Sequence, residues 1–157
     1  MNAPEVFVLP DIQSAADRRN LRINRVGVKS VLHPVRIARA GGAVASVAHV
    51  DMYVGLPPQV KGTHMSRFLE VLHACSEPLD GPRFRALVEH MLARLGAEEG
   101  VVEMRFPYFI AKRAPVSGIE SLLDYQVMFR GEAAAEDYRF TLGVQAPVTS
   151  LCPCSKE

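Results

Sequence analysis

The sequence predicts an α+β fold: an antiparallel sheet with two helices on one face. Three observations carry this. Two valine-rich segments, Val26–Arg39 and Ala43–Val54, are separated by the turn pair Gly41-Gly42. Two segments with helical periodicity follow, and later segments alternate apolar and polar again. Two helices covering one face of an antiparallel sheet is a compact way to bury both apolar surfaces.

The elements follow in chain order. Residues 1–25, with Pro4 and Pro10, read as an N-terminal arm, and residues 26–157 read as one module. Val26–Arg39 is rich in valine and isoleucine, and Pro34 marks it as an edge or a bulge because proline lacks an N–H for the ladder. After the glycines, Val44, Ala48, Val50, Met52 and Val54 share one phase, while Val47, His49, Asp51 and Tyr53 share the other. That alternation pairs with the preceding strand as a hairpin.

Pro57-Pro58 ends the strand, and the period changes. Met65, Phe68, Leu69 and Leu72 recur at helical spacing, with Thr63 placed to cap the helix through its hydroxyl. Phe84, Leu87, Val88, Met91, Leu92 and Leu95 make a second stripe, opened by Asp80 to Pro82 and closed by Gly96. Val102, Met104, Phe106 and Tyr108 then alternate with Glu103 and Arg105. Leu123 to Phe129 and Tyr138 to Val144 alternate in the same way, joined by a polar turn around 131–137. The order is ββααββ with one further strand.

Bulk composition narrows the function classes. Of 157 residues, 48% are hydrophobic and 22% charged, which is ordinary for a globular protein. Lys plus Arg total 18 and Asp plus Glu total 17, so the overall charge gives no argument for nucleic acid or an anionic membrane as partner. No apolar run reaches the roughly 20 residues of a membrane span. The first residues lack the pattern of a secretory signal, so a cytoplasmic location is expected. Three cysteines, an odd number, argue against a disulfide framework.

Two clusters could carry chemistry. Cys152 and Cys154 flank Pro153, with Lys156 close by. Thiolates are strong ligands for zinc and related metals, and a nearby cation raises the thiolate fraction. The plain alternative is a pair of partly buried thiols with no role. The second cluster, Lys61-Gly62-Thr63-His64-Met65-Ser66-Arg67, straddles a helix N-terminus. Free amides and the helix dipole favour an anion there, and Lys61 and Arg67 could add charge-assisted bonds. It is not a Walker A loop, and a simple cap with solvated charges is the alternative. Cys75 sits at core-like spacing. His33, His49, His73 and His90 lack ligand spacing and read as structural, with His90 facing solvent or a partner. Lys112 to Gly118 reads as a solvated loop leaving a strand.

Five stretches together resemble the type IB GTP cyclohydrolases, the metal-dependent prokaryotic kind. They are Leu9 to Ser14 (LPDIQS), Val26 to Lys29 (VGVK), Lys61 to Phe68 (KGTHMSRF), Pro115 to Gly118 (PVSG) and Val148 to Glu157 (VTSLCPCSKE). The resemblance implies a tunnelling fold, whose sheets assemble side by side into barrels in a homo-oligomer such as a tetramer. It implies hydrolysis at C8 of GTP, release of formate and rearrangement to 7,8-dihydroneopterin triphosphate, the first step of pterin and folate synthesis. A divalent metal, zinc foremost and manganese next, activates the attacking water in such a reaction. Carried over by position, Cys152 is the catalytic metal ligand, with Cys154 as alternative. Lys61, Thr63, His64, Arg67 and Lys156 would face substrate.

Family members run on past the CPCSKE segment, where they supply a histidine ligand, a glutamate for the guanine and a second module. The sequence is therefore expected to be the N-terminal portion of such an enzyme, inactive by itself. A non-catalytic purine- or pterin-binding or assembly module is the alternative, and a metal-binding protein using the Cys152–Cys154 pair is a third. A histidine and a glutamate in downstream coding sequence would separate the first two.

Overall fold

The computed structural model describes residues 20–148. It contains β1 (Ile23–Arg39), β2 (Gly42–Leu56), α1 (Met65–Ala74), α2 (Gly81–Leu95), β3 (Glu99–Arg113), β4 (Glu120–Ala134) and β5 (Asp137–Gln145). The strands form one sheet in the order β1-β2-β3-β4-β5, and each neighbouring pair is antiparallel. The fold is α+β as expected, with three strands after the helices.

The period-2 pattern decides which face is buried. Ala48, Val50, Met52 and Val54 of β2 and Val102, Met104 and Phe106 of β3 alternate into a common core. Phe68, Val71 and Leu72 of α1 and Phe84, Leu87, Val88, Met91 and Leu95 of α2 complete it. α1 lies over β1, and α2 lies over β3, β4 and β5. Phe84 meets Phe129 edge-on at 5.6 Å between ring centroids, and Phe129 meets Phe106 at 5.2 Å and Phe140 at 5.4 Å. Edge-to-face pairs at such separations contribute about 0.5–1.5 kcal/mol beyond simple burial. They join α2 to the last three strands.

The helix ends test the capping expectations. Asp80 caps α2, accepting the Arg83 amide at 2.9 Å, with Pro82 in the first turn. Gly96 closes it in the left-handed conformation (φ 63°). At α1 the expectation fails. The helix starts at Met65, so His64 occupies the cap position and makes no side-chain cap bond. Thr63 falls one residue outside and is buried. Between the helices, Leu79 exchanges two backbone bonds with β1, to Arg36 and from Ala38, at 2.7 and 2.9 Å.

Pro34 sits within β1, at the sheet edge, as its missing donor requires. The bulges of β1 lie elsewhere: Asn24 and Arg25 together oppose Gly55, and Lys29 and Ser30 together oppose Asp51. The turn expected at 131–137 is shorter. Gly131 pairs with Phe140 and Ala134 with Asp137, leaving only Ala135 and Glu136 between strands. Lys112 and Arg113 belong to β3, and the turn beyond is closed by Ala114 and Ile119 at 2.9 Å. Cys75 packs against the core, and its burial raises the thiol pKa. His90 is exposed. No helix among the described residues is long and apolar enough to cross a membrane.

Candidate functional site

The face of the sheet away from the helices is charged, and the strand register places its residues in rows. One row runs Gly27, Tyr53, Val101, Glu132, Arg139 from β1 to β5. The next runs Asp51, Glu103, Arg130, Thr141, with the Lys29–Ser30 bulge at its β1 end. A third runs Leu32, His49, Arg105, Met128, Gly143.

Two carboxylates in the middle row are almost closed to solvent: Asp51 is 8% exposed and Glu103 7%. Ions buried to that degree require partners, because desolvation costs several kcal/mol per ion. Arg130 supplies one, donating to Glu103 at 2.8 Å and to Glu132 at 2.6 Å. Arg105 supplies another, contacting Glu103 and lying 3.9 Å from Asp51. The bonds to Glu132 and Glu103 raise the Arg130 pKa, and the same Arg130 bond holds the Glu132 carboxyl below the usual carboxylate range. Asp51 also accepts the backbone N–H of Ser30 at 2.7 Å, which ties the β1 bulge to β2.

Toward the β1 start, the face opens into a cleft of about 810 Å3, whose lining includes Arg22, Arg25, Tyr53, Glu99, Glu132 and Arg139. Arg22 donates to Glu99 at 2.7 Å across its rim. The cleft therefore offers acceptors and guanidinium donors side by side, suited to a polar ligand.

The KGTHMSRF segment leaves β2 at the same end of the sheet, since β2 contributes Val54 and Gly55 to the cleft and Lys61 lies six residues beyond Gly55. Lys61 is exposed, and His64 and Arg67 are half-buried. The Arg67 amide donates to the His64 carbonyl at 3.1 Å. No acidic residue stands in the first turn of α1, so that turn carries no carboxylate of its own against the positive end of the helix dipole. The chain thus brings Lys61, Thr63, His64 and Arg67 together around one helix start. Cys152, Cys154 and Lys156 lie outside the described residues.

Among the described residues no group of three His, Cys, Asp or Glu converges as a metal cage, so this part of the chain does not by itself fit a metal ion. His33 and His73 do meet, with ring centroids 5.6 Å apart. Burial, and then the neighbouring His73, lower the His33 pKa, which keeps that imidazole neutral near pH 7. Reading the sequence alone missed this pair and the Asp51–Glu103–Arg105–Arg130 network. The signal for the network was present: charges at alternate positions, Glu103 with Arg105 and Arg130 with Glu132. Their convergence depends on register between strands, which a single strand does not encode.

Comparison with known proteins agrees with the resemblance at the family level. Residues 9–157 match the model of the family described as type I GTP cyclohydrolase folE2. The chain is 50% identical to GTP cyclohydrolase FolE2 of Azoarcus sp. (strain BH72) over 159 residues, covering 100% of this chain and 59% of that relative. It is 54% identical to GTP cyclohydrolase FolE2 1 of Dechloromonas aromatica (strain RCB), covering 100% of this chain and 60% of the relative. With the protein of Thiobacillus denitrificans (strain ATCC 25259 / T1) named GTP cyclohydrolase FolE2, identity is 50% over 95% of this chain and 56% of the relative. The chain spans about three-fifths of the length of these curated relatives. Because the match runs through nearly the whole sequence, the chain belongs to the type I GTP cyclohydrolase FolE2 family.

Proposed function

We propose that this chain carries the nucleotide-binding part of a GTP cyclohydrolase of the metal-dependent type IB kind. The reaction is hydrolytic opening of the purine ring of GTP, with release of formate and formation of 7,8-dihydroneopterin triphosphate. One observation carries the reading. Lys61 and Arg67 bracket the acid-free N-terminus of α1, within the stretch KGTHMSRF that follows β2. A helix start of that kind favours phosphate through its free amides and its dipole, and two cations add charge-assisted bonds. Thr63 and His64 shape the segment, and Lys156 joins the substrate side.

Cys152 is the proposed metal ligand, with Cys154 as alternative, and the remaining donors come from outside residues 20–148. The chemistry of a thiolate donor suits zinc, with manganese next. A divalent ion there would supply Lewis acidity for hydrolysis at C8. The five-stranded antiparallel sheet with two helices on one face supports the reading of a tunnelling-fold module. Leu142 and Val144 are exposed on β5, an edge strand among the described residues, which supports assembly into a homo-oligomer such as a tetramer. A cytoplasmic location belongs to the same reading.

The test is a comparison of ligands. Lys61→Gln and Arg67→Gln should each weaken GTP binding by about tenfold or more, since a hydrogen bond to a charged group contributes roughly 1.5–3 kcal/mol. Guanosine binding should change little. Unaltered GTP affinity in both variants at low salt would make the two cations solvated surface and remove the support for this reading.

A further inference from the structure

The stretch from Ile23 to Val31 contains two bulges four residues apart. Asn24 and Arg25 oppose the single residue Gly55, and Lys29 and Ser30 oppose Asp51. Each bulge displays one long cation. Arg25 and Lys29 are both exposed, and neither is in an ion pair among the described residues. Arg25 acts on Glu132 only at longer Coulombic range.

The geometry between and behind the bulges is fixed. Gly27 lies so close to β2 that a Cβ would stand 1.9 Å from the Met52 carbonyl oxygen, so no side chain fits there. Ser30 adopts the left-handed conformation, φ 55°, which residues other than glycine rarely hold. The nearly buried Asp51 holds it there by accepting the Ser30 N–H at 2.7 Å. Bulges re-aim side chains and gather near functional sites, and strained backbone persists only where its surroundings impose it. The competing reading is edge protection: bulges and lysines on an edge strand discourage pairing with other sheets. It accounts for a charge on β1. It does not account for a nearly buried carboxylate, shared with Arg105, that accepts the serine amide directly after that lysine.

We propose that this double bulge is a polyanion-binding edge: Arg25 and Lys29 hold the phosphate tail of a nucleoside triphosphate, and Asp51 positions Lys29 through the Ser30 amide. The polyphosphate chemistry rests on the two cations, four residues apart and so at most about 14 Å along the strand. The choice of a nucleoside triphosphate rests on the cyclohydrolase reading. Arg25 opposes Gly55 at the sheet end from which the Lys61 segment departs, so the edge adds donors on the side of the cleft where that segment begins.

The test titrates the protein with inorganic tripolyphosphate, GTP and guanosine in parallel, with melting curves and mass in solution for each variant. Arg25→Gln and Lys29→Gln should each weaken tripolyphosphate and GTP by about tenfold and leave guanosine unchanged. Asp51→Ala should weaken tripolyphosphate with Lys29 intact, and Asp51→Asn should restore it, because the amide oxygen still accepts the Ser30 N–H. No tripolyphosphate binding by the wild type, or unchanged affinity in the Arg25→Gln/Lys29→Gln double variant, would overturn the proposal. Self-association of that double variant with unchanged affinity would assign the cations to edge protection and overturn it equally. Tripolyphosphate binding that needs both cations, in a protein that ignores guanosine, would keep the edge and remove the cyclohydrolase reading. GTP and guanosine binding indifferent to both cations would do the reverse.

Discussion

The two faces of one sheet are built from the same strands and differ in almost everything else. Toward the helices, Val50, Met52, Val102 and Met104 are closed to solvent and packed against α1 and α2. On the opposite face, their neighbours one residue along are Asp51, Tyr53, Glu103 and Arg105. The apolar face is held by burial, which is insensitive to direction. The charged face is held by a few ion pairs whose value depends on geometry and protonation. Stability should therefore reside mainly on the apolar side.

The largest expected effect strikes the apolar side. Phe84 is fully buried and touches the rings of Phe129 and Phe140. Phe84→Ala should cost about 3–5 kcal/mol of unfolding free energy, read from denaturant melts. A loss under 1 kcal/mol would mean that α2 is not seated as described. On the charged side, Glu103→Gln weakens the bonds from Arg130 and Arg105 while keeping the shape. It should cost roughly 1–3 kcal/mol, and the loss should shrink at high salt. A cost that matches Phe84→Ala would erase the contrast between the faces.

Acid should also separate them. The Glu132 carboxyl has its pKa lowered in the folded state by the bond from Arg130. Its stabilisation is thus present above the ordinary carboxylate value, near 4.3, and disappears as pH falls through the lower folded value. Arg130→Met should flatten the pH dependence of stability in that acidic window and leave it unchanged between pH 7 and 9. His33 adds a second pH dependence. Its folded pKa is lowered by burial and by His73, so stability should rise with pH up to about 6.5, the ordinary histidine value, and level off above it. His33→Asn should remove that slope; a slope that survives would place its origin elsewhere. The smallest effect expected is at the α2 cap, where Asp80→Ala should cost about 1 kcal/mol.

The same contrast explains what was legible in the sequence. The helix stripes, the β1–β2 hairpin and the Asp80 and Gly96 caps follow from local periods and cap chemistry, and each appears in the structure. The α1 cap is not legible because Thr63 and His64 both precede the stripe, and the exact start of a helix is set by tertiary packing. The turn at 131–137 reads too long from the sequence because glycine and alanine resemble loop residues until Gly131 is paired with Phe140. The charged face was the least legible part. Asp51 and Glu103 are distant in sequence and meet only because β2 and β3 pair in one register. The β1 bulges were equally hidden, since VGVK reads as an ordinary strand. Of the candidate site, the Lys61–Arg67 cluster is brought together by adjacency in the chain. Cys152, Cys154 and Lys156 remain known only from their motif.

The central claim is the chemistry proposed for GTP, and formate release tests it most directly. The full-length protein, supplied with zinc or manganese, should release formate from GTP. Cys152→Ala should fall to background with its melting curve nearly unchanged, and Cys154→Ala should retain more activity. No formate from the wild type, or near-normal turnover by Cys152→Ala, would contradict the account.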